Sequence, residues 1–247
     1  MPQAQIAPEY YLPLYFQSVK QASPLYSGLF ILPITLTQAL AGISTGVIIH
    51  RTGRYCELIW VGMTLLTIGL GLLVYINAES AIGEIISFEL ITGIGAGLLF
   101  QPPLIAVQAS TEQDDIATAT ATFSFVRNLS TAMSVVIGGV VFQNGMDLRV
   151  PGLRAAGLPR NITDSLSGGA AAANVMIIGT IIDPRQALAV KEAFAWSMRN
   201  IWILCTCISA CGLFASVFIT RQVLSKEHVE TKTGIKEKRP VGMEIRE

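Results

Sequence analysis

The chain has 247 residues, 51% hydrophobic and 14% charged, with a formal net charge of zero. Soluble domains carry about 25% charged residues, so this composition, with its mean hydropathy of +0.54, excludes an ordinary soluble domain and points to a membrane protein. The balanced charge gives no basic footprint for nucleic acid and suggests no acidic partner.

Residues 6–16 are apolar and aromatic, with Tyr10, Tyr11, Tyr15 and Phe16. The run is too short to span, and it reads as the outer end of a helix whose beginning is missing, with tyrosines at the interface level. Met1–Ala7 has no basic segment followed by an apolar core, so no cleavable signal peptide is expected. Five long apolar runs follow, at about 29–50, 58–76, 82–107, 116–142 and 200–220. A helix of about 20 residues crosses the roughly 30 Å hydrocarbon core of a bilayer, so each run is long enough to span.

A tight basic turn, His50-Arg51-Thr52-Gly53-Arg54-Tyr55, joins the first two spans. The third span carries Gly93, Gly95 and Gly97 and then Pro102-Pro103, which should bend or loosen it near its cytoplasmic end. Gly42/Gly46 and Gly93/Gly97 have the GxxxG spacing that lets helix backbones approach closely. No strand precedes Gly93–Gly97, so it is not read as a nucleotide loop.

Thr120, Ser124, Arg127, Thr131, Ser134 and Gly138 are spaced four, three, four, three and four in the fourth span, which puts them on one face. An arginine at a helix centre costs about 2.5–3.5 kcal/mol on insertion scales and faces a bundle interior or a watery cavity. Arg127 therefore either lines a substrate path or is pinned to a neighbouring helix. Glu89, in the third span, is its natural partner and a proton-carrier candidate; the plain alternative is a carboxylate near the interface that reaches water. Gln38 is a cavity hydrogen-bonder or helix–helix glue.

Residues 143–199 read as a long external loop, rich in glycine and proline early and ending in a helix start at Asp183-Pro184. The sequon Asn161-Ile162-Thr163 makes Asn161 a glycosylation candidate there. Arg51, Arg54 and the basic residues of 221–247 put the short turn and the C-terminus on the cytoplasmic side. That tail reads as disordered. Cys56, Cys205, Cys207 and Cys211 have neither a zinc spacing nor a secreted disulfide pattern. His50 and His228 are the only histidines. No metal, cofactor or catalytic cluster is expected, which counts against a polytopic membrane enzyme.

Tyr10–Gln17, Gly46–Tyr55, Gly93–Pro103 and Phe125–Ser130 together resemble the major facilitator superfamily, in particular the fourteen-span drug:proton antiporters of fungi. The resemblance covers nearly the whole chain. It implies an all-α membrane protein, the C-terminal six-helix bundle of that fold, with residues 1–220 as the bundle and its first helix truncated. It also implies proton-coupled efflux of small amphipathic compounds, drugs or secondary metabolites by alternating access, in the plasma membrane. The partners would be the lipid bilayer, the substrate, the proton and a missing N-terminal half. Gln38, Gln101, Arg127 and Thr131 are the expected cavity residues. Gly46, Arg51, Gly53 and Arg54 match the loop signature tied to gating; positive-inside charge explains the arginines equally well. The alternative is a truncated remnant, or a half-transporter that acts only as an interaction partner.

Overall fold

The computed structural model describes residues 2–218, with side chains from Ile6 onward. The tail at 221–247, and the basic residues in it that bear on orientation, lie outside the described residues. Nine α-helices and no strands are found among the described residues: α1 (Pro2–Ser18), α2 (Pro24–Thr52), α3 (Cys56–Leu73), α4 (Ile82–Leu98), α5 (Pro102–Ala109), α6 (Ile116–Ala155), α7 (Arg160–Ser165), α8 (Ala170–Ala173) and α9 (Pro184–Ser216). Five segments are long and apolar enough to cross a membrane: α2, α3, α4 with α5, α6 with the turn before it, and α9. The chain is an all-α integral membrane protein.

The long helices close a ring in the order α2, α4, α3, α9, α6, α1 and back to α2, with α1 also reaching α9. Glycine sets the closest crossing. A Cβ on Gly93 would sit 2.7 Å from the Ile34 carbonyl, and one on Gly97 would run into the Gln38 carbonyl. Without side chains there, α4 lies directly against the α2 backbone, which is what the small-residue spacing anticipates. Opposite this, α3 and α9 run antiparallel. The Trp60 indole donates to the Ser216 carbonyl at 3.0 Å, and the Thr67 and Ser209 hydroxyls pair at 2.8 Å.

α1 ties its neighbours in the ring together. The Tyr11 hydroxyl donates to the Val135 carbonyl and the Tyr15 hydroxyl to the Asn77 carbonyl, each at 2.6 Å. Both rings are buried, whereas Tyr10 is exposed. Tyr11 and Tyr15 thus turn into the bundle, where each hydroxyl finds a carbonyl, while Tyr10 faces outward.

Local signals account for most helix ends. Ser23 caps α2, with Pro24 in its first turn, and Gly53 ends it at φ 67° while its N–H bonds the Ile49 carbonyl. That left-handed conformation is open to glycine at little cost. The third apolar run is broken rather than bent: α4 stops at Leu98 and α5 starts at Pro102. Proline supplies no N–H to bond backwards and its ring crowds the preceding turn.

The segment 143–199 differs most from the sequence expectation. α6 continues for 40 residues to Ala155, through Gly145 and Pro151. Phe142, Met146 and Leu153 are buried there. Gly145 lies against Ser197 of α9, so its missing side chain serves packing rather than a turn. The helix start at Asp183 is as expected: its carboxylate accepts from the Arg185 N–H at 2.9 Å, and Pro184 opens α9.

Candidate functional site: a mostly apolar cavity between α1, α2 and the α4–α5 break

The helix break after Leu98 leaves Phe100 and Gln101 outside regular helix. Both face α2 across a cavity of about 460 Å³, lined also by Thr35, Gln38, Ala39, Gly42 and Ile43 of α2 and by Glu9 of α1. The surface is mostly aliphatic and aromatic, with one carboxylate and two amides. An apolar pocket with a few convergent polar groups is the usual form of a small-molecule site.

Two of the four residues expected in a cavity, Gln38 and Gln101, are brought together. The Gln38 Oε1 is buried and has no hydrogen-bond partner. Among the described residues this oxygen bonds no neighbouring helix. The Gln101 amide oxygen lies 3.3 Å from where a Cβ on Gly46 would be, so Gly46 makes room for that side chain.

Arg127 reaches the cavity through an intermediary. Its guanidinium carbon lies 4.3 Å from the centroid of the Phe100 ring, and that ring is part of the lining. Such a contact contributes about 0.5–2 kcal/mol, more as it is desolvated. No carboxylate lies within ion-pairing distance of Arg127 among the described residues. Thr131 is one turn away, half-buried, with its hydroxyl donating to the Arg127 carbonyl at 3.0 Å. Further along the same face, Ser134 and Gly138 are buried, and Gly138 packs against the Tyr11 ring. The Ser134–Gly138 end of this face thus turns inward to α1, whereas Ser124 is exposed, as are Val126, Leu129, Met133 and Val136 on the other side.

Glu89 is fully buried, and neither of its carboxylate oxygens has a hydrogen-bond partner. The pairing with Arg127 expected from the sequence is not formed. The alternative of a carboxylate reaching water is not formed either, although Glu84, one turn earlier, is exposed. Glu89 lies between the two contact stripes of α4, since Gly93 and Gly97 meet α2 while Thr92 and Gly95 meet α3. A buried ion without a partner costs several kcal/mol, and binding a proton removes that cost.

The remaining expected residues lie apart from the cavity. Arg51 and Arg54 are exposed on the α2–α3 turn around Gly53. Asn161 is exposed on α7, but the sequon's Thr163 is buried and its hydroxyl donates to the Arg160 carbonyl at 2.9 Å. Among the described residues no His/Cys/Asp/Glu group could hold a metal, and the four cysteines are free.

Glu9 is the lining residue that the sequence reading missed. It is a single carboxylate in an aromatic run, between Pro8 and Tyr10. The signal available was the same one that singled out Arg127, a charge kept within an apolar helix.

The family model described as Major Facilitator Superfamily matches residues 2–135. The chain is 39% identical to "Efflux pump dotC" of Dothistroma septosporum over 226 residues, which is 92% of this chain and 38% of that protein. It is 38% identical to "MFS-type transporter ppz2" of Metarhizium majus, over 94% of this chain and 40% of that protein. It is 30% identical to "Efflux pump FUS6" of Gibberella fujikuroi, over 94% and 41%. The chain thus spans about two fifths of the length of these relatives. No solved structure matches it.

Proposed function

The chain belongs to the major facilitator superfamily, and from that premise we propose that it forms the C-terminal six-helix bundle of an efflux transporter for small amphipathic compounds. The observation that carries the reading is the cavity itself. Glu9, Gln38, Phe100 and Gln101, with Arg127 stacked on Phe100, come from α1, α2, the α4–α5 break and α6. In transporters of this kind the substrate site lies near the bilayer midplane at the interface of two repeats, and one repeat rocks against the other. Phe100 and Ile43 offer apolar contact to a substrate, and the two glutamines offer hydrogen bonds that do not select one compound. The names of the relatives, two efflux pumps among them, support export as the direction.

In this reading Glu89 carries the coupling proton, because it is buried, unpartnered and one turn from the Gly93 crossing with α2. Arg51 and Arg54 take part in gating at the α2–α3 turn. The turn and the C-terminus are cytoplasmic, 143–199 is external, and the membrane is the plasma membrane.

Arg127→Ala in a full-length context tests the reading. The expected result is export of a substrate panel abolished or reshaped with surface level unchanged. Equal loss of protein and of export would mean that Arg127 only holds the bundle together. Orientation is tested with the Asn161 glycan and a C-terminal tag: a glycan-free Asn161 with a tag labelled from outside would invert it.

A further inference from the structure

A second cavity, also about 460 Å³, lies at the opposite end of the ring, where α3 runs out into the turn 74–78 and passes α6 and α9. Asn77, Ala78, Arg149, Glu192, Trp196 and Arg199 are among its walls. Two of these walls are guanidiniums. Arg149 stacks over the Trp196 ring, with its guanidinium carbon 4.2 Å from the ring centroid, and its Nε is buried without a hydrogen-bond partner. Arg199 is exposed at the rim. Neither forms an ion pair among the described residues, although Glu192 lines the same cavity.

A further amine borders the cavity at Ala78, one of its walls. The Lys20 amine donates to the carbonyl of Ala78 at 2.8 Å. Burial, and next the nearby Lys191, hold that amine below the usual lysine range, against the opposing pull of Glu79 and Glu84. Arg149 is already desolvated in part and fixed by Trp196, so little side-chain freedom remains to be lost when an anion binds. A planar guanidinium presents a fork of donors that matches phosphate oxygens two at a time.

The level in the membrane also matters. The apolar run of α3 ends at Ile76, and α9 becomes continuously apolar only after Asn200. The cavity therefore sits where apolar helix gives way to polar chain, the depth at which tryptophan and lipid head groups meet. We propose that this cavity binds a phosphate-bearing anion between Arg149 and Arg199, with Trp196 as the platform under Arg149. Such a ligand is either the phosphodiester of a lipid in the adjacent leaflet or a soluble phosphate. Glu192, which lines the same cavity, would accept the positive end of a zwitterionic head group. The site shares no lining residue with the cavity at Gln38 and does not depend on what that cavity transports.

The test uses the full chain purified in detergent and stripped of lipid, with its thermal unfolding midpoint followed during titration. One arm adds phosphatidylethanolamine or phosphatidylglycerol, another adds inorganic phosphate or glycerol phosphate, and a third adds a phosphate-free glycolipid. Wild type should be stabilised by phosphate-bearing ligands and not by the glycolipid. Arg149→Gln and Arg199→Gln should each weaken the response about tenfold, while Arg160→Gln, on exposed α7, should not. Stabilisation by lipid alone identifies the lipid head group, and an equal response to inorganic phosphate identifies a soluble anion. No response in wild type, or the same response in both arginine variants, overturns the proposal. Should Arg149→Gln fail to fold, Arg199→Gln decides, since its exposed side chain carries little packing.

Discussion

Gly97→Ala tests the helix crossing that brings Gln38 and Gln101 to one cavity. The added Cβ would run into the Gln38 carbonyl and lie 2.6 Å from the Ala41 Cβ and 3.0 Å from the Gly42 nitrogen. Carbon atoms pack best at about 3.5–4.0 Å, so α2 and α4 must part locally by about 1 Å. Overpacking of this kind costs about 1–3 kcal/mol. Alanine's better helix propensity offsets about 1 kcal/mol of that. Gly83→Ala in the same helix isolates the propensity effect, because nothing lies within 4 Å of its added Cβ. Reversible unfolding in mixed detergent, followed by circular dichroism, should find Gly97→Ala less stable than Gly83→Ala by about 1–3 kcal/mol. On the proposed reading it should also impair export in a full-length context, since the Gln38 backbone is the first thing displaced. Equal stability of the two variants would refute the close crossing and, with it, the shape of the cavity.

Glu89→Leu should raise stability by about 1–3 kcal/mol in the same unfolding assay, because it removes a buried polar group that has no partner, while ending any pH dependence of export; a loss of stability would mean that Glu89 is held by a bond not seen here. Asp183→Ala should cost about 1 kcal/mol and speed hydrogen exchange at Arg185, Gln186 and Ala187, where the α9 cap is lost. Lys20 sets a pH dependence: its amine is held below the unfolded value by burial and Lys191, so the unfolded chain binds more protons between the two values and stability rises with pH across that alkaline window. Lys20→Met should flatten this rise in pH-resolved melting curves, and an unchanged slope would count against the buried position of the amine.

The spans were legible because apolar length alone decides them, and the helix start at Asp183 was written in local residue types; the caps at Ser23 and Gly53 were not read from the sequence. The helical course of 143–155 was not. Gln143, Asn144, Gly145, Asp147 and Pro151 describe a loop by composition, and the helix continues because Phe142, Met146 and Leu153 are buried and Gly145 meets Ser197. The cavity was half legible. Gln38 and Gln101 could be picked as polar residues in or beside apolar runs, but no periodicity says that Glu9 of a different helix faces them. Helical spacing put Glu89 on the face of Gly93. It could not say that Gly93 meets α2, that Thr92 meets α3 and that Glu89 is left between them without Arg127.

The length of α6 has a mechanical consequence. At 1.5 Å per residue, its 40 residues make a rod of about 60 Å, twice the thickness of the hydrocarbon core. Arg127, which leans on Phe100, and Arg149, which leans on Trp196, are anchored on that one rod, about 33 Å apart along its axis. A tilt of about 5° pivoting on the Trp196 contact would swing Arg127 by about 3 Å, enough to lift it off the Phe100 ring. Whatever grips the C-terminal end of α6 thereby acts as the fulcrum of a lever whose far arm is the cavity.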